Sequence, residues 1–178
     1  MHVHAGQRDC GQSDWYVLMV RSNHEKRIAQ GLDYRGIEHF LPCYRSVRQW
    51  KDRRVTLELP LFPGYVFVRM SLCERLRALT IPHVFSLVGT GSSPSTVAEA
   101  EIDSIKRGLV HGKVEPYPYL RLGERVVVTQ GPMCGITGIL VREQSNTRVV
   151  VSIQSITRSF ILNVDAGSVQ PLRSPLVN

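Results

Sequence analysis

The run Leu61-Phe62-Pro63-Gly64-Tyr65-Val66-Phe67-Val68 restricts the folds open to this chain more than any other stretch. Pro63 and Gly64 interrupt the backbone. Tyr65 and Phe67 then fall on one face at period two, and Val66 and Val68 on the other. A strand that is apolar on both faces is a poor match for a solvated sheet edge. It belongs inside a layered sheet, with helices over one face and either a second layer or a partner over the other. The aromatic face is the first place to look for function.

The chain is long enough to build such a core. Its 178 residues are 43% hydrophobic, enough for one medium domain or two small ones. No apolar run approaches the roughly 20 residues that span a bilayer, and no charged-then-apolar leader opens the sequence. A cytoplasmic protein without membrane contact is therefore expected. Cys10, Cys43, Cys73 and Cys134 are widely spaced, with no C-x-x-C and no histidine pair at ligand spacing. That spacing supports neither a disulfide framework nor a zinc site. Gly89-Thr90-Gly91 lacks a third glycine opening a helix, so it reads as a turn and no cofactor is expected.

A net charge of +7 favours a polyanionic partner. Its placement is more informative than its size. Arg45, Arg48, Lys51, Arg53 and Arg54 surround a single acid, Asp52, with Tyr44 and Trp50 interleaved. Two readings stand: a hairpin kept soluble by charge, or an arm lying along nucleic-acid phosphates.

The order of elements can be read along the chain. Residues 1–13 are polar and aperiodic, as in a disordered tail, and residues 15–20 form a first strand. Ser22-x-x-Glu25 predicts a capping box, followed by a helix with Ile28 and Leu32 inside that ends near Gly36. Residues 37–41 give a short strand, 44–59 the basic hairpin and 61–69 the aromatic strand. Ser71-x-x-Glu74 opens a second helix with Leu72, Leu76 and Leu79 inward, stopping before Pro82. After a strand at 84–88, Thr96-x-x-Glu99 caps a third helix with Ala98, Ile102, Ile105 and Leu109 on one face. Residues 14–110 thus form a first domain, and the proline-containing stretch 111–121 a stiff linker. Residues 122–174 read as a small barrel, with valine- and isoleucine-rich strands at 125–129, 136–142, 148–153, 159–164 and 168–172.

Two motifs in this order carry a resemblance. Trp15-Tyr16-Val17, a helix, the basic hairpin and the Leu61 to Val68 run are similar to the N-terminal (NGN) domain of the NusG family of transcription elongation factors. Gly123-Glu124-Arg125-Val126-Val127-Val128 followed by Gly131-Pro132-Met133-Cys134-Gly135-Ile136-Thr137-Gly138 resembles the KOW motif that begins that family's C-terminal barrel. The likeness is greatest to specialised paralogs of the RfaH and UpxY kind. It implies an α+β protein: an N-terminal α/β sandwich with an antiparallel-rich sheet and three helices, joined by the linker to a five-stranded, SH3-like KOW barrel.

The resemblance also implies sites. An apolar depression on the family's N-terminal domain grips the coiled-coil clamp helices of the largest RNA polymerase subunit, and the matching positions are Phe62, Tyr65 and Phe67 with Trp15 and Tyr16 beside them. For Trp15 and Tyr16 burial in the core is the favoured reading. For Tyr65 and Phe67 the interface is favoured, because the strand lacks polar alternation. Specialised members touch non-template DNA near the first helix, which points to Arg21, His24, Arg27, Tyr34 and Arg35, while the hairpin offers Arg48, Lys51, Arg53 and Arg54 to DNA or nascent RNA.

The family's barrel meets termination factor Rho or ribosomal protein NusE through an apolar loop with an aromatic beside glycine. Here the aligned residues are Ser155-Ile156-Thr157-Arg158. Ile156, Arg158 and Met133 are left to meet a partner, NusE rather than Rho, and the protein is expected to be a monomer. A competing reading is an RNA-binding or ribosome-associated KOW protein that acts without polymerase. An enzyme is the weakest reading: no base, orienting group and oxyanion donor converge, and His24-Glu25 is not H-E-x-x-H.

Overall fold

The computed structural model describes residues 12–50, 52–90, 93–111, 114–117, 125–143, 146–165 and 168–172. In chain order the elements are β1 (Asp14–Val20), α1 (Glu25–Tyr34), β2 (Glu38–Phe40), β3 (Cys43–Gln49), β4 (Arg54–Pro60), β5 (Tyr65–Met70) and α2 (Arg75–Leu79). They continue with β6 (Val84–Leu87), β7 (Gly89–Thr90), β8 (Ser93–Pro94), α3 (Glu99–His111), β9 (Val114–Tyr117), β10 (Arg125–Val128), β11 (Thr137–Glu143), β12 (Asn146–Ile153), β13 (Arg158–Val164) and β14 (Val169–Pro171). The chain divides into two compact units: residues up to Leu41 together with Gly64–Val97, and Pro42–Pro63 together with everything from Ala98 onward. The α+β class expected from the sequence is found, with three α-helices and antiparallel strand pairing among the described residues.

The first unit is built on a four-stranded sheet in the order β2-β5-β1-β6. The aromatic strand β5 is interior, as its two-faced apolar pattern requires. Register sets Tyr16 opposite Val68 and Leu18 opposite Val66 on one face, which packs with Ile28 and Leu32 of α1 and Ala78 of α2. Each fully buried Leu, Ile or Val side chain there contributes about 1.5–3 kcal/mol relative to exposure. Helix α1 ends in a Schellman arrangement: Gly36 takes φ +63°, its N–H bonds Asp33 O at 2.9 Å, and Ile37 N–H bonds Leu32 O at 3.0 Å. Glycine suits that left-handed position because it carries no Cβ.

Three local expectations are corrected. The Ser22 capping box does not form. The residue before α1 is His24, without a side-chain cap, and the Glu25 carboxylate accepts instead from Gly64 N–H at 2.8 Å. In the second helix, a 3₁₀ turn at Leu72–Glu74 precedes α2, with Ser71 Oγ accepting from Cys73 N–H. The tighter turn shifts the helical phase, so Ala78 is buried and Leu76 is exposed. The third helix starts with Glu101 Oε2 accepting from Ala98 N–H, and Gly108, rather than Ala98 or Leu109, joins Ile102 and Ile105 in the buried stripe.

The second unit holds the β3–β4 hairpin, α3 and a six-stranded antiparallel sheet in the order β14-β10-β11-β12-β13-β9. Five strands were expected. Val114–Tyr117, within the stretch expected to be a linker, pairs with β13 as the sixth. Helix α3 approaches this sheet closely at Gly108, where a Cβ would lie 2.8 Å from Leu162 and 3.2 Å from Val114. Phe62, after β4, makes an edge-on contact with Phe160 at 6.2 Å between centroids. The Val149, Val150 and Val151 run is buried on both faces of the sheet, the setting a β-branched run favours. Cys73 is disulfide-bonded, against the expectation from sequence spacing, whereas Cys43 and Cys134 are free. Spacing along a chain does not report distance between Cα atoms. Cys10 and the 1–11 stretch lie outside the described residues.

Candidate functional site

The residues expected to form an apolar docking surface separate into two groups. Tyr16 lies on the helix-covered face of the four-stranded sheet and is buried. The other face carries three cross-strand pairs, Trp15 with Arg69, Val17 with Phe67 and Met19 with Tyr65, and β2 adds Phe40 beside Phe67, ring centroids 6.1 Å apart. On this face Trp15, Val17 and Phe67 are buried, Tyr65 is half-buried, and Met19 is 41% exposed. Phe62 is buried in the second unit against Phe160. Phe67 and Phe62 are thus spent on packing, and the accessible part of the aromatic face is Tyr65 with Met19 at one end and half-buried Phe40 on β2. Period two along β1 puts Met19 on the face of Trp15 and Val17, a signal carried by the sequence itself.

This open end of the face is held by a buried link. Gly64 immediately precedes Tyr65, and its N–H donates to the Glu25 carboxylate while its carbonyl accepts from Val20 N–H at 2.9 Å. Glu25 is 2% exposed. A buried carboxylate is tolerated where it accepts a hydrogen bond, and Glu25 also sits in the first turn of α1, where negative charge is favoured.

The basic residues also separate. Arg21 and Arg27 are exposed and His24 half-buried around the start of α1. The His24 ring lies against that of His83, centroids 4.3 Å apart and tilted by 53°, and Arg21 N–H donates to His83 O at 2.9 Å. The pKa of His83 is lowered from 6.5, first by desolvation and then by the charges of His24, Arg21 and Arg27. His83 was not anticipated, because only the fold brings the turn before β6 to α1. Tyr34, 94% exposed, lies at the far end of α1, about 15 Å from its start at 1.5 Å rise per residue. Arg35 is engaged: its guanidinium donates to Arg77 O and to Thr80 Oγ1, while that of Arg77 donates to Arg35 O and pairs with Glu74 at 2.6 Å. Arg35 therefore braces α1 against α2 and is not part of the Arg21 cluster.

In the second unit the hairpin end exposes Arg48, Arg53 and Arg54 around Val47 and Trp50, which are 66% and 53% exposed. Arg54 Nε donates to Gln49 Oε1 at 3.2 Å, and Trp50 N–H donates to Arg53 O at 2.8 Å. Lys51 lies outside the described residues. Of the three positions expected to meet a partner, Ile156 is buried, Met133 half-buried and Arg158 exposed. Ile156 fills the core because the 3₁₀ turn Gln154–Ile156 and the left-handed Thr157, φ +51°, turn it inward.

A family profile described as "Transcription termination factor nusG" matches residues 13–106, more than half the chain. The chain is 28% identical over 173 residues to the transcription termination/antitermination protein NusG of Vibrio vulnificus, covering 89% of this chain and 95% of that protein. It is 29% identical over 171 residues to the protein of the same name from Buchnera aphidicola subsp. Baizongia pistaciae, covering 88% and 94%. The solved structure described as "Domain interaction in Thermotoga maritima NusG" aligns with 93% of this chain and 100% of its own at 21% identity, with a TM-score of 0.56, a likeness of fold.

Proposed function

This chain belongs to the NusG family, and from that premise we propose that it is a transcription elongation and antitermination factor of the specialised kind, docking on the clamp helices of RNA polymerase. The observation that supports this best is the open end of the second sheet face, where Tyr65 and Met19 stand opposite each other beside a buried aromatic layer. A tyrosine and a polarisable methionine on a rigid sheet form a suitable anchor for an apolar helix pair. Burying such an aromatic at an interface is worth about 2 kcal/mol or more. The protein works by binding, stabilising a pause-resistant polymerase in the cytoplasm. Arg21, His24 and Arg27 contact single-stranded nucleic acid beside that enzyme.

The C-terminal sheet recruits a further component, NusE rather than Rho, through Arg158 and Met133, because the loop at 154–157 buries its one large apolar side chain. Transcription through a Rho-dependent terminator with purified polymerase tests this. Added protein should raise full-length transcript without raising Rho-dependent termination; a Rho-dependent increase in termination would overturn the antiterminating role.

A second reading rests on the hairpin end, where exposed Trp50 among three exposed arginines offers a stacking platform for unpaired bases. On that reading RNA affinity falls steeply with salt and is indifferent to Tyr65.

A further inference from the structure

Two imidazoles and two guanidiniums come together from separate parts of the first unit. His24 is the residue before α1 and His83 lies in the turn before β6; their rings are in contact, and Arg21 binds the His83 backbone directly. The backbone of His83 has φ +71°, a left-handed conformation that a non-glycine residue adopts rarely and at some energetic cost. The groups that face the His83 ring are His24, Arg21 and Arg27, all basic. The neighbouring acid, Glu25, is buried and turned to Gly64 N–H, so it does not supply a surface counter-charge. Desolvation, the His24 ring against it and the two arginines oppose protonation of His83 in the free protein, and an anion placed among these groups removes part of that opposition.

We propose that His83 and His24, flanked by Arg21 and Arg27, form a phosphodiester-binding cluster in which His83 takes up a proton as the cluster engages single-stranded nucleic acid. This rests on the proposed function for the nucleic-acid side of the site. It adds His83 as a binding residue and protonation as what governs the contact. The sign follows from linkage. A bound phosphate favours the charged imidazole and raises its pKa above the free value, so binding is strongest at low pH and weakens as pH rises through the pKa of the complex. His83 is held below its ordinary value in the free protein, so its proton arrives with the phosphate rather than before it, while the arginines attract the strand at every pH.

Fluorescence anisotropy with labelled oligothymidylate and oligouridylate, recorded between about pH 8 and pH 5.5, tests the proposal on the full-length protein. Wild type should bind about tenfold more tightly at the acidic end. His83→Asn, which tolerates a left-handed backbone, and His83→Gly should both retain the fold and flatten the pH profile. His83→Asn should also lower the salt slope at acid pH by about 0.7, one phosphate contact on a single strand. Arg21→Ala should weaken binding at every pH without flattening the profile. The tighter of the two oligonucleotides identifies the natural strand as DNA or RNA. A wild-type affinity independent of pH, or a pH dependence that survives in both His83 variants, overturns the proposal. Polymerase binding is measured in parallel. If it is retained while the pH dependence is absent, the proton-linked contact alone fails; the reverse pattern removes the polymerase reading and leaves the cluster.

Discussion

Truncating Phe67 to alanine is expected to destabilise the protein by about 3–5 kcal/mol, the range for deleting a buried aromatic ring. Phe67 is fully buried at the centre of β5, opposite Val17 on one neighbouring strand and Phe40 on the other. The ring leaves a void that a sheet hydrogen-bonded on both sides of β5 cannot collapse to fill. Urea denaturation followed by near-UV circular dichroism measures the loss. A cost below about 1 kcal/mol would mean that the ring is not packed as described. Phe67→Ala is therefore a poor probe of docking, because lost partner binding would report an unfolded first unit. Half-buried Tyr65 and exposed Met19 can be truncated for about 1 kcal/mol each.

Glu25→Ala should cost about 2 kcal/mol, the value for a buried hydrogen bond to a charged group. The change removes the acceptor for Gly64 N–H and leaves that buried donor unpaired. Because Gly64 leads directly into Tyr65, the turn should loosen and partner affinity should fall together with stability. Glu25→Gln supplies an amide oxygen in the same place and should recover most of both. Thermal unfolding of the three proteins tests the account. An alanine variant as stable as wild type would show that the Glu25–Gly64 bond does not hold the turn.

Features carried by local chemistry were legible in the sequence. The Pro63-Gly64 break and the two-faced pattern of residues 65–68 placed β5 inside a sheet, Gly36 marked the end of α1, and runs rich in valine and isoleucine marked the strands from β10 to β13. What escaped depends on groups distant in sequence. Ser22-x-x-Glu25 has the spacing of a capping box, but the carboxylate found a partner 39 residues away. Leu76 fits a helical stripe until the 3₁₀ turn shifts its phase. Arg35 resembles a free surface cation until α2 supplies Arg77 O and Thr80 Oγ1. His83 joins the basic cluster only when β6 pairs with β1. Aromatic residue type alone does not separate packing from docking: Phe62 and Phe67 occupy positions that match the family's docking surface, yet both are buried.

The most direct test of the central claim is equilibrium binding of the purified protein to core RNA polymerase, comparing wild type with Tyr65→Ala/Met19→Ala after its fold has been confirmed by circular dichroism. Wild type should bind, and the folded double variant should bind at least about 30-fold more weakly, the equivalent of roughly 2 kcal/mol. Unchanged affinity in a folded double variant, or no binding by wild type, would contradict the assignment of this face to the polymerase.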